Sequence, residues 1–123
     1  MAERQPYSAS PLSENREIVQ RLSERLERTE LTRTELLEGE LVLRGMLPMI
    51  EEAIPARMRL EGEFAGVEDA EVGLQELTTH LMWIQLHSLA PLGDVRARLQ
   101  AAMASAALAL RGLASGDGPG EET

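Results

Sequence analysis

Apolar residues recur at helical spacing through most of the chain, most densely from Leu74 to Leu89, LQELTTHLMWIQLHSL. Wound at about 100° per residue, Leu74, Leu77, Leu81, Ile84 and Ser88 form one line. Met82, Leu86 and Leu89 widen it to an apolar arc of roughly 200°. The opposite side, within about 60° of arc, carries Glu76, His80, Trp83 and His87. The pattern predicts a core helix that stops near Ala90, because Pro91 disfavours helix in the residue before it. Both of its faces call for a partner. Trp83 left in water would waste a large apolar area, so it is expected against a second helix, a partner chain or a ligand.

Upstream, Ser10 and Pro11 read as an N-cap followed by proline at the first helical position. Val19, Leu22 and Leu26, with Ile18 beside them, then make a narrow seam on a long N-terminal helix, a candidate dimer seam. Thr29 and Arg33 interrupt that register before Leu36 restores it. Thr32 and Glu35 have capping-box spacing, which would start a second helix. From Leu36 to Met58 the core positions are Leu36, Leu37, Leu41, Leu43, Leu47, Ile50, Ile54 and Met58. Gly39, Gly45, Pro48 and Pro55 divide this stretch into a kinked helix or two short ones.

The run EGEFAG from Glu61, with the acidic block Glu61, Glu63, Glu68, Asp69 and Glu71, reads as a solvated connection. A last helix is capped by Asp94 and buries Val95, Leu99, Met103, Ala106, Leu110 and Leu113. Ala97, Ala101, Ser105 and Ala109 form a small-residue row on its flank, which high alanine content accounts for. Strand-like alternation is absent from the sequence. The expectation is an all-α bundle of four or five helices with a long N-terminal helix. Residues 1–10 would be a disordered arm, 11–114 a single helical domain and 115–123 a disordered tail.

Composition narrows the function. A chain of 123 residues fits one domain with a sizeable core, and the lack of cysteine removes disulfides, thiolate metal sites and cysteine nucleophiles. The net charge of −9 argues against nucleic acid, whose phosphates are bound by clustered cations. All twelve basic residues are arginine, which rules out lysine chemistry and reads as a coding bias. The N-terminus lacks the apolar run of a signal peptide, and the run from Ala101 to Leu110 is too short to cross a bilayer. A soluble, cytoplasmic chain without nucleic-acid or membrane partners is expected.

Chemistry has few footholds. Glu76 and His80, four apart on one face, have the reach to share a metal ion, but His87 lies about 10.5 Å further along the axis. Glu-x-x-x-His also differs from the Glu-x-x-His of di-iron bundles and the His-Glu-x-x-His of zinc proteases. Neither metal nor cofactor is assigned, and a Glu76–His80 hydrogen bond within a partly buried polar stripe is the plainer reading. The run His87-Ser-Leu-Ala-Pro-Leu resembles the phosphoacceptor helix of histidine kinases, which implies phosphotransfer at His87. That family places an acidic residue where Ser88 stands, and its proline comes one position after Pro91. The serines lie in no Gly-x-Ser-x-Gly elbow, so catalytic residues are not assigned.

The function expected is therefore contact rather than catalysis. The chain reads as a small acidic interaction module, acting as a homodimer: an adaptor, regulatory subunit or inhibitor, with a protein partner of basic surface. Glu76, His80, Trp83 and His87 are the binding or interface candidates, and Val19, Leu22 and Leu26 the dimer-seam candidates. The alternative is a helical bundle that binds a ligand or metal on the same histidine stripe. Imidazoles beside carboxylates would also make that stripe sensitive to pH.

Overall fold

A computed structural model describes residues 11–115, so the expectations for the arm at 1–10, the Ser10 cap and the tail beyond Ser115 lie outside the described residues. Five helices occupy the rest: α1 Pro11–Arg28, α2 Arg33–Arg44, α3 Leu47–Glu61, α4 Val67–Leu86 and α5 Leu92–Ala114. Strands are absent among the described residues. The all-α expectation is met, but the long helix is not the first. α1 has 18 residues, whereas α4 has 20 and α5 has 23.

Local chemistry explains where the helices begin and end. α1 stops at Arg28, and α2 restarts on a complete capping box. The Thr32 hydroxyl accepts from Glu35 N–H at 3.1 Å, and the Glu35 carboxylate accepts from Thr32 N–H at 2.9 Å. That bond holds the Glu35 carboxyl below its usual range, outweighing desolvation, with Arg25 assisting. The break between α2 and α3 falls at Gly45–Met46, and Pro48 stands in the first turn of α3, where a missing N–H is tolerated. Pro55 lies inside α3 on its exposed side.

Helix α4 corrects two expectations. It begins at Val67, with Glu68 and Asp69 in its first turn, so part of the acidic block is helical and faces the positive end of the helix dipole. It also ends at Leu86, before Pro91, in a turn closed by Ala90 N–H on the His87 carbonyl at 2.9 Å. Asp94 sits within the first turn of α5 and does not cap it with its side chain.

The bundle is built around α5, which packs most extensively on α4, next on α1, then on α2. Every predicted apolar position of α5 is buried, from Val95 to Leu113. The α4–α5 hairpin is unusually close, because small residues face each other along it. Gly66 meets Gly112 backbone to backbone, and Ala70 lies against Gly112. A Cβ on Gly73 would fall 2.5 Å from Ala109 N and 2.7 Å from the Ser105 carbonyl oxygen. The small-residue row is thus a packing surface in part: Ser105 and Ala109 belong to it, whereas Ala97 is exposed.

Three arginines tie helix ends together. Arg96 donates to the Leu26 and Thr29 carbonyls at the end of α1. Arg33 donates to the Ser88 and Ala90 carbonyls after α4, each at 2.7 Å. Arg57 donates to the Leu113 and Ser115 carbonyls at the end of α5 and covers the Phe64 ring at 4.5 Å. The last carbonyls of a helix have no partners within it, and a planar guanidinium can serve two at once where an ammonium cannot fork. Whatever its coding origin, the arginine content has structural uses.

Candidate functional site

Trp83 is half-buried on α4, and the residue that covers it is Arg98 of α5, whose guanidinium lies 4.7 Å above the indole. His87 stacks on the same indole, with ring centroids 4.5 Å apart and planes 20° from parallel. The partner expected for Trp83 is therefore supplied in part by the chain's own next helix. Arg98 carried no signal of its own in the sequence. It does have a positional one: the contacts Gly66 with Gly112, Gly73 with Ser105 and His80 with Arg98 recur every seven residues along both helices of the hairpin.

The two histidines play different parts. Arg98 Nη1 lies 3.3 Å from His80 Nδ1, and because a guanidinium only donates, the imidazole accepts there and carries its proton on Nε2. Burial first, and Arg98 second, push the His80 pKa below its ordinary value, while Glu76 pulls the other way. His87 lies at the exposed C-cap of α4, and its Nδ1 donates to the Trp83 carbonyl at 3.0 Å, fixing the opposite tautomer. Glu76 is engaged by α5 as well, with the Ser105 hydroxyl 3.5 Å from its Oε1. The expected Glu76–His80 bond is replaced by these two separate contacts with α5.

Metal chemistry finds no convergent donors on this stripe. Glu76 turns to Ser105, His80 turns to a cation, and His87 turns to the main chain. Among the described residues, no group of three or more His, Asp or Glu is placed to hold a metal ion. None of the described helices is long and apolar enough to cross a membrane.

The α1 seam is occupied within the chain. Val19 and Leu26 are 4% and 1% exposed, Leu22 is half-buried, and α1 packs on α5, so the seam is not a free surface. Beside it, α1 and α5 leave a groove of about 430 Å³, whose floor includes Val19, Met103 and Leu110.

The exposed apolar surface lies elsewhere, on residues expected to widen the core arc of α4. Met82, Leu86 and Leu89 are 53%, 73% and 85% exposed. Only Leu77, Leu81 and Ile84 of that arc are fully buried, because the neighbouring helices cover one side of α4 and leave this flank open. Leu41 of α2, also expected in the core, is 55% exposed. It borders a depression of about 260 Å³ with Leu37, Ile84, Gln85 and Ser88. Behind that depression Glu40 is buried and held by two bonds from Arg44, at 2.8 and 2.6 Å. Leu92, at the start of α5, adds to the exposed apolar area.

Comparison with protein-family models, with curated proteins and with solved structures found no match to this chain. The functional reading therefore rests on the geometry of the stripe and the patch.

Proposed function

We propose that this protein is a non-enzymatic protein-binding module whose contact surface is the apolar patch at the C-terminal end of α4. The observation that carries the reading is the exposure of Met82, Leu86 and Leu89 together, with Leu41 and Leu92 nearby. Scattered exposed leucines are ordinary, but a cluster of large apolar side chains at one end of a small domain marks a contact site. Trp83, His80, His87 and Glu76 form the rigid edge of that surface, since Arg98 and Ser105 anchor three of them to α5. An adaptor or regulatory role fits a domain with this patch at one end of α4 and acidic residues at the other. Glu68, Asp69 and Glu71 there would suit a partner with a basic surface.

The test is sedimentation of the protein in gentle lysates of its own host, wild type against the double variant Leu86→Asp/Leu89→Asp. The wild type should travel in an assembly larger than the 13.5 kDa chain. The variant should travel as the free chain while keeping its circular dichroism and melting temperature. A wild type that travels at the mass of the free chain would refute the reading.

A further inference from the structure

The geometry points to a second copy of this chain as the occupant of the patch, the two copies meeting about a two-fold axis beside Leu86. The inference rests on the patch being a protein contact. It moves the self-association surface from α1, whose seam is buried, to the end of α4.

Charge selects the occupant. Each chain carries −9 at pH 7, so two copies repel one another in most orientations. A two-fold contact sets a surface against itself, so any carboxylate near its centre would face a carboxylate. From Leu77 to Gly93 the chain has no Asp, Glu or Arg, and this is the stretch that leaves Met82, Leu86 and Leu89 in water. A basic partner would instead be drawn to the acids in the first turns of α4, roughly 24 Å away along an axis that rises about 1.5 Å per residue. The patch offers no charge to an oppositely charged protein, yet it is complementary to its own copy.

Shape agrees with charge. Met82 and Leu86 stand one turn apart on α4, and Leu89 lies in the turn that follows. Antiparallel pairing about Leu86 brings Leu86 onto Leu86 and Met82 of each copy near Leu89 of the other. The depression between Leu37, Leu41, Ile84 and Gln85 lies beside this line and can receive an apolar side chain from the other copy.

The absence of cysteine makes a sharp test possible, because a single introduced thiol can pair only with its own copy. Sedimentation equilibrium of the purified protein should give twice the 13.5 kDa chain mass. Leu86→Asp should raise the dimer Kd at least about tenfold without altering the melting temperature. Leu60→Asp, on an equally exposed leucine outside the patch, should leave it unchanged. Leu86→Cys should form a disulfide-linked dimer under mild oxidation, and Leu60→Cys should not.

A purified protein that stays monomeric at hundreds of micromolar overturns the second copy, and if the lysate still shows a larger assembly, the interaction reading survives with a different partner. A dimer that Leu86→Asp leaves intact and Leu86→Cys fails to link has its interface elsewhere, which also overturns the inference. Flotation of the wild type, but not Leu86→Asp, with phosphatidylcholine vesicles would assign the patch to a lipid surface and overturn it too.

Discussion

Gly73 offers the strictest test of how α4 and α5 are held together. Replacing a glycine by alanine inside a helix ordinarily stabilises it by about 0.8–1 kcal/mol, because alanine has the higher propensity. At Gly73 the new Cβ would stand 2.5 Å from Ala109 N, 2.7 Å from the Ser105 carbonyl oxygen and 2.8 Å from Ala109 Cα. All three are main-chain atoms of the facing helix, so no side chain can rotate away to make room. The helices must separate, which loosens the most extensive contact in the bundle.

Overpacking costs typically 1–3 kcal/mol, and a clash with rigid backbone belongs at the upper end. Subtracting the propensity gain leaves Gly73→Ala destabilised by about 2 kcal/mol. For a domain of this size that lowers the melting temperature by about 8–10 °C and, with a urea m-value near 2 kcal/mol/M, the midpoint by about 1 M. Gly93→Ala is the control. It also lies within a helix, but its Cβ meets nothing within 4 Å, so stability should rise by a few tenths of a kcal/mol. Urea unfolding followed by circular dichroism measures both variants. Equal effects of the same sign, or a stabilised Gly73→Ala, would refute the close approach of the two backbones.

Three further outcomes are expected. Arg33→Lys and Arg57→Lys should each lose about 1 kcal/mol in urea unfolding, because an ammonium cannot fork between two carbonyls. Thr32→Ala should lose about 1 kcal/mol by removing the cap of α2, and in an NMR titration the Glu35 carboxyl should move toward its usual range. The His80 imidazole, followed by its Cε1–H resonance, should titrate below 6.5 and move upward in Arg98→Gln. Since the unfolded chain then binds the proton more readily, the His80 contribution to stability is complete above about pH 6.5 and is lost as the pH falls toward the folded value. A wild-type value at or above 6.5 would contradict the covering of His80 by Arg98.

Periodicity along the chain was enough to specify helices and most of the core. The apolar positions of α5 are all buried, Leu36, Leu43, Ile50 and Ile54 likewise, and the capping box at Thr32 and Glu35 starts α2 as its spacing required. These are local properties, set by 3.6-residue geometry and by bonds between residues three or four apart. What periodicity could not say is which side of an apolar arc would be covered. Leu41, Met82, Leu86 and Leu89 are as hydrophobic as their buried neighbours, and only the directions from which the other helices approach α4 leave them exposed.

The same limit applies to the polar stripe. Glu76, His80, Trp83 and His87 were visible as one face, but Arg98 and Ser105 joined them through the hairpin register, where small residues at Gly66, Gly73 and Gly112 let two backbones close together. Contacts between residues far apart in the chain depend on the docking of whole helices. That docking turned the expected Glu76–His80 pair into two separate anchors on α5, buried the α1 seam, and left the uncharged end of α4 as the surface open to a partner.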